Sequence, residues 1–263
     1  MTKTRLVKIQ LQSTLITIMK YINPSRNYRQ SCTPFQGEVG YQLVVEQSDL
    51  YIISTADYSG HLLSRLHKIR QSIKTHILFH PEFAAAMTPL PIPRHAPTII
   101  QNMCKAAALF NVGPMAAVAG AVAQDIAQYL NQLSPEALIE NGGDIFIYST
   151  QDRLVGLLAD PGQELTLGIR VKTCETPCAV CSSSATIGHS ISLGKGDLVV
   201  VKAKSGAVAD AAATALCNMV NSRKSLHIMN KKRQELEEKG VTGLLAQLGE
   251  ELTAWGEMEL VML

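Results

Sequence analysis

Two segments built almost wholly of small residues constrain this chain more than any other feature. Gly113-Pro-Met-Ala-Ala-Val-Ala-Gly-Ala-Val-Ala and Gly206-Ala-Val-Ala-Asp-Ala-Ala-Ala-Thr-Ala-Leu each place a glycine ahead of an alanine-rich helix. Such a helix has a smooth flank and can approach a sheet or another helix closely. The shared pattern reads as an internal duplication, two similar α+β halves packed together. Composition alone also makes alanine-rich helices look alike, and no fixed-period repeat decides between the two readings.

The segments around these helices alternate between strand and helix signals. Val39–Glu46 and Leu50–Ser54 are apolar, β-branched runs separated by Gln47-Ser48-Asp49, a hairpin pattern. Tyr58–Thr75 carries Leu62, Leu66, Ile69 and Ile73 at helical spacing. After the proline-rich connector 89–93, Thr98 opens a helix to Phe110; Gly113-Pro114 breaks it and starts the next, Met115–Leu130. Strands are expected at Ala137–Glu140, Asp144–Ser149, Leu154–Ala159, Leu165–Val171 and Leu198–Lys202, the last a continuous apolar run suited to a buried strand. A helix at Ala207–Asn221, a charged helix at Asn230–Lys239 and a closing hairpin of Gly243–Leu248 with Met258–Met262 complete the expectation.

Residues 1–26 differ from the rest: basic, weakly apolar and without clear periodicity. Met19 opens Met-Lys-Tyr-Ile-Asn-Pro, which reads like a normal start, so the first eighteen residues are expected to be a mis-started or loosely ordered extension of one domain spanning 27–263. No secretory signal is clear, and no run approaches the roughly 18 apolar residues a membrane span needs. With 24 Lys and Arg against 22 Asp and Glu, the net charge of +2 gives no reason to expect a nucleic-acid partner. A reducing cytoplasm is the default location, so Cys32, Cys104, Cys174, Cys178, Cys181 and Cys217 are expected as thiols or ligands rather than disulfides.

Four constellations could carry chemistry. Glu140-Asn141-Gly142-Gly143-Asp144 leads into the strand Ile145-Phe146-Ile147. It is either a plain Asn-Gly hairpin turn or a turn whose exposed N–H groups hold phosphate oxygens. On the second alanine-rich helix, Asp210 and Thr214 stand four residues apart and share a face. Buried, Asp210 needs a partner, and Mg²⁺ accepts one carboxylate, a hydroxyl and carbonyl oxygens. Alternatively Asp210 sits in a first helical turn and complements the dipole. Cys181-Ser182-Ser183-Ser184 through Gly188-His189-Ser190 crowds hydroxyls around one histidine, either as pocket lining or as an ordinary loop. Cys174, Cys178 and Cys181 follow C-x₃-C-x₂-C, but no fourth ligand is evident nearby, so an iron–sulfur cluster is the weaker expectation.

These residues carry a family resemblance. Asn141-Gly-Gly-Asp144-Ile145 resembles the glycine-rich strand entry of the ApbE flavin transferases. Ala209-Asp210-Ala-Ala-Ala-Thr214-Ala215 resembles their metal-binding helix, and Gly113-Pro114 their Gly-Pro helix start. The match is closer to a shorter ApbE-like branch of anaerobic prokaryotes, through Val112–Ala121, Glu140–Ile145, Cys181–Ser190, Ala209–Ala215 and Ala254–Glu257, and it covers roughly residues 27–263. The resemblance implies an α+β fold of T-fold type, tandem halves with helices packed on antiparallel sheet. It implies FAD or FMN as a small-molecule nucleotide ligand, with Mg²⁺ held by Asp210 and Thr214. Candidate catalytic residues are Asp210, His189 and Cys181; candidate cofactor-binding residues are Gly113, Asn141, Gly142, Gly143, Asp144, Ser182 and Ser183.

In true flavin transferases FMN moves from FAD to a threonine of an acceptor protein. This chain departs from them: it is shorter and lacks their Met-Gly-Thr start and His-Ile-Ile-Asp-Pro segment, with only Gly188-His189-Ser190 near that place. The short branch is also linked with sulfide assimilation into homocysteine, which leaves two alternatives: an accessory protein that keeps the pocket for another ligand, and a cysteine-ligated metal protein. A homodimer is an open expectation.

Overall fold

The computed structural model describes residues 15–18, 29, 33–157, 167–184 and 196–263. In chain order the elements are β1 (Leu15–Ile18), β2 (Val39–Val45), β3 (Ser48–Ser54), α1 (Ser59–Phe79), α2 (Glu82–Ala85), α3 (Thr98–Phe110), a 3₁₀ turn at Pro114–Ala117 and α4 (Val118–Leu130). Then come β4 (Ala137–Asn141), β5 (Asp144–Tyr148), β6 (Arg153–Leu157), β7 (Leu167–Val171), β8 (Cys178–Ser183), β9 (Leu198–Ala203) and α5 (Gly206–Met219). The chain closes with α6 (Arg223–Lys231), α7 (Arg233–Glu238), β10 (Val241–Leu248), β11 (Glu251–Gly256) and β12 (Glu259–Met262).

Among the described residues, eight strands form one sheet in the order β11-β10-β9-β8-β5-β4-β3-β2, antiparallel at every step. Two halves are visible in that order. Strands β2 to β5 lie side by side in sequence order, as do β8 to β11, and each half inserts its helices between its second and third strands. The α+β architecture with helices on an antiparallel sheet is therefore the one expected. A smaller sheet, β1-β6-β7-β12, pairs β1 parallel to β6 and is otherwise antiparallel.

The large sheet is covered on both faces. Ile52, Ile139, Phe146, Ala179, Val199, Val201 and Leu244 point into the core shared with the helices. Ile53, Leu138, Ile145, Ile147, Val180, Val200 and Leu245 point the other way, against Val155, Leu157, Ile169 and Val171 of the small sheet. Adjacent strand residues face opposite sides, so a strand apolar on both sides reads as an unbroken hydrophobic run. That is why Leu198-Val-Val-Val201 does not alternate. On α1, the buried residues are Leu62, Leu66, Ile69 and Ile73, the expected stripe.

The alanine-rich helices cross at a pair of glycines. A β-carbon at Gly120 of α4 would lie 2.2 Å from the carbonyl oxygen of Gly206, and one at Gly206 would lie 2.2 Å from the carbonyl oxygen of Gly120. The two backbones therefore touch directly, a contact no larger residue permits.

Three expectations need correction. The closing hairpin is β10–β11; the last strand, β12, leaves it to pair with β7 in the small sheet. Gly256, at φ +75, and the bend after it turn the chain out of the large sheet. The charged helix at Asn230–Lys239 is two short helices, α6 and α7, meeting at Lys232. Cys181–Ser183, for which an ordinary loop is one of the two readings, is the end of strand β8 at the centre of the sheet; its small and hydroxyl-bearing residues masked a fully buried strand. The proposed N-terminal extension falls mostly outside the described residues, apart from the backbone of Leu15–Ile18 beside β6.

Candidate functional site

The site forms where the β4–β5 turn, the start of α4 and the middle of α5 converge. Asn141 and Asp144 close a two-residue turn, with Gly142 at φ +66 and Gly143 at φ +97, values that favour glycine. The Asn141 Nδ2 donates to the carbonyl of Ala119 at 3.1 Å. The next residue, Gly120, donates its N–H to Asp210 Oδ2 at 2.9 Å. Asn141 and Asp210 are therefore fastened to consecutive residues of one helix, and Asp210 is buried, 5% exposed. It is the fifth residue of α5, beyond the first turn, so the dipole alternative does not describe it. Gln124, on the same α4, accepts the N–H of Gly206 at 2.8 Å and caps the start of α5.

Around this point the described candidate residues take the following places. Gly143 donates its N–H to Glu140 Oε1 at 2.8 Å, so the turn offers this one amide to its own glutamate. Arg29 binds Glu140 Oε2 through Nε at 2.8 Å and Asp49 Oδ1 at 2.6 Å, locking the back of the turn to β3. Asp144 Oδ1 accepts the Ser182 N–H at 3.2 Å, and the Ser182 hydroxyl donates to the Gly143 carbonyl at 3.2 Å. Strand alternation separates the two serines. Ser183 falls on the helix-facing side of β8 with Cys181, and Ser182 on the other. Cys181 is buried, its thiol 3.8 Å from the Gly206 carbonyl oxygen.

Gly113 and Thr214 line a common cleft of about 210 Å³ with Ala86, Met87, Met115 and Asn218. Thr214 stands one turn beyond Asp210 on the same face of α5, so the cleft opens one turn from the buried carboxylate. Gly113 is required by packing as well: a β-carbon there would meet the Ala86 carbonyl oxygen at 1.7 Å. His189 lies outside the described residues.

The three-cysteine motif does not converge. Cys178 faces the small sheet and Cys181 faces the helices, while Cys174 is exposed in a 3₁₀ turn. Among the described residues no group of three His, Cys, Asp or Glu side chains could hold a metal. Burial pushes the Cys178 thiol up to about 11, against the pull of Lys202 and Lys204. At neutral pH the Cys178 thiolate fraction is then about one in ten thousand. In native protein treated with iodoacetamide, Cys174 is expected to react within minutes, whereas Cys104, Cys178, Cys181 and Cys217 stay unmodified until denaturant is added. Peptide mass spectrometry reads this directly; native labelling of Cys178 as fast as Cys174 would contradict the burial.

Sequence reasoning picked out Asp210, Thr214 and the Asn-Gly-Gly turn but missed what joins them. Gly120 had a signal: it is a glycine inside an alanine-rich helix, where glycine costs about 1 kcal/mol and so implies a packing need. Gln124 had none, since a glutamine on a helix usually reads as exposed.

The arrangement is that of an α+β protein with two strand–helix–strand halves in one continuous sheet and a polar junction between its two glycine-crossed helices. The same fold occurs in the ApbE protein of Thermotoga maritima, at 13% identity and TM-score 0.52 over 82% of this chain and 96% of that one. It also occurs in the Pseudomonas stutzeri flavinyl transferase ApbE, at 11% identity and TM-score 0.51 over 83% and 94%. The chain belongs to the ApbE-like family whose model is described as AbpE bacteria, matched over residues 31–252. Among its relatives are a UPF0280 protein of Methanocaldococcus jannaschii, 36% identical over 73% of this chain and 79% of that protein, and a UPF0280 protein of Methanothrix thermoacetophila, 38% identical over 72% and 79%. Among the described residues no single helix is long and apolar enough to cross a membrane.

Proposed function

We propose that this chain binds a flavin nucleotide, FAD or FMN, together with Mg²⁺ at the junction of α4, α5 and the β4–β5 turn. The observation that carries the reading is the fastening of Asn141 and Asp210 to adjacent residues of α4, one helical turn from the cleft that Thr214 lines. The donor set suits Mg²⁺: one carboxylate, one hydroxyl four residues on, and helix carbonyls, all oxygen. When bound, the ion would neutralise a pyrophosphate and polarise its bridging bond.

The protein's own residues do the rest. The Gly120 N–H holds one oxygen of Asp210 and orients the carboxylate. Asn141 fixes the turn to α4, and Asp144 and Ser182 fix it to β8. The cleft wall of Met87, Met115 and Ala116 is apolar, a surface on which a flat ring can lie out of water. The solved ApbE structures with this fold include the Pseudomonas stutzeri flavinyl transferase, which supports the ligand class. Transfer of FMN to an acceptor hydroxyl is a further step, and release of AMP from FAD measures it.

Asp210→Asn is the test. The amide oxygen still accepts the Gly120 N–H, so the fold is kept while the charge goes. Flavin fluorescence titrations with and without Mg²⁺ are expected to show Mg²⁺-assisted binding in the native protein and a loss of roughly tenfold to 100-fold in the variant. If the native protein takes up neither FAD nor FMN, or if Asp210→Asn binds them with the same Mg²⁺ dependence, the reading is wrong.

A further inference from the structure

The edges of the two sheets are built differently. On β11, Glu251 pairs with Arg223, and Arg233 lies over Trp255. On β12, Glu259 pairs with Lys172 and Arg170. Charges of this kind keep an edge strand from pairing with another chain. At the opposite edge of the large sheet, β2 reads Val39-Gly-Tyr-Gln-Leu-Val-Val45, without a charge or a proline. Val39, Gly40, Gln42 and Val44 are exposed, Val44 to 54%.

The turn Glu46-Gln47 sets which backbone groups face out. It is a two-residue turn closed by Val45 opposite Ser48. In such a hairpin the closing pair exchanges hydrogen bonds, and hydrogen-bonded pairs then alternate along the strands. Leu43, Tyr41 and Val39 therefore direct their N–H and C=O toward β3, while Gly40, Gln42 and Val44 direct theirs away from it.

We propose that β2 is a homodimer interface, in which two copies pair antiparallel with Gln42 on the two-fold axis and fuse the two large sheets into one. This register sets Gly40 against the partner's Val44, Gln42 against the partner's Gln42, and Val44 against the partner's Gly40. Every outward-facing residue meets another outward-facing residue, and each pair exchanges two hydrogen bonds. The side chains agree with that register. Gly40 has no room for a β-carbon, because the Tyr51 hydroxyl would lie 2.2 Å from it. The exposed Val44 isopropyl group then lands on the Tyr51 ring of the opposite copy, twice by symmetry. On the other face Tyr41 meets the partner's Leu43 and extends the apolar surface beneath the helices. A neutral strand places no like charges opposite one another, and the contact is closed, so it stops at two copies.

The test is the solution mass of the full chain by light scattering across a concentration series, with three variants. Val44→Lys puts a charge on the edge. Gln42→Pro removes an outward N–H that β3 does not use, a position where an edge strand tolerates proline. Leu252→Lys places the same kind of charge on β11 as a control. The native protein and Leu252→Lys are expected to be dimers, and Val44→Lys and Gln42→Pro monomers, with the dimer weakened by roughly 100-fold and the far-ultraviolet circular dichroism unchanged. A native protein that is monomeric at every concentration overturns the proposal. So does a dimer that survives both β2 variants, or one that Leu252→Lys breaks and Val44→Lys spares.

Discussion

Gly120→Ala is expected to cost this protein roughly 3 kcal/mol of unfolding free energy, the upper end of what one added methyl does in a packed interior. The methyl would have to occupy a point 2.2 Å from the Gly206 carbonyl oxygen and 2.9 Å from the Asp210 β-carbon. Neither neighbour is the flexible end of a side chain, so relief requires α4 and α5 to move apart. Both helices are packed on the large sheet through wholly buried alanines, Ala123 and Ala127 on one and Ala209, Ala211, Ala212 and Ala213 on the other. Separating them opens that packing along its length. Against this, alanine is a better helix former than glycine by about 1 kcal/mol, a gain already smaller than the expected loss. Urea titration measures the difference as a lower midpoint at unchanged slope. Gly206→Ala is expected to behave alike, and the pair to be less than additive, since the first substitution already parts the helices. The same parting draws the Gly120 N–H away from Asp210, so the proposed nucleotide site should loosen along with the fold. A Gly120→Ala protein as stable as the native one would show that the crossing is looser than drawn.

That crossing also marks how far the sequence could be read. Period-3.6 and period-2 patterns placed α1, α3, β2, β3, β4, β5 and β9 to within a few residues, because each buries one definable face or a whole apolar run. Asp210 and Thr214 stood out as polar residues in a helix otherwise too small and apolar to tolerate them, and Asn141-Gly-Gly stood out as turn chemistry. What failed has a common cause. Cys178–Ser183 is the central strand of the large sheet, yet its side chains are small, because it lies under α5, whose glycine and alanines bring the helix backbone close. Short side chains opposite a close helix look like loop composition when the helix is not known to be there. The destination of β12 and the bond between Gly143 and Glu140 are likewise set by tertiary neighbours, and no local pattern encodes them.

Arg153→Met is expected to destabilise the fold at neutral pH by roughly 3–5 kcal/mol, the cost of removing one partner from a buried ion pair. Arg153 is wholly buried at the start of β6. Its guanidinium binds Glu38 and Glu136, its Nε donates to the Ser149 hydroxyl at 2.7 Å, and it stacks 4.4 Å from the Phe35 ring centre. Methionine replaces the stem but leaves two carboxylates in the interior without their cation. Burial alone would raise the Glu136 pKa, but the Thr150 and Ser149 hydroxyls, the Thr150 N–H and Arg153 outweigh it and hold the group below its ordinary value. In the native protein Glu136 therefore adds stability that is complete above the unfolded pKa, about 4.3, and is lost as pH falls through the lowered folded value. In the variant the lowering that Arg153 supplies is gone while the burial stays, so Glu136 takes up its proton at a higher pH than in the native protein and acid relieves part of the penalty. The two stability curves should stand furthest apart near pH 7 and draw together as pH falls toward the lowered Glu136 value of the native protein, a convergence that thermal melts across pH would reveal. A gap that stays constant with pH would mean that Arg153 stabilises through its stem and its contact with Phe35, and that its charge contributes little.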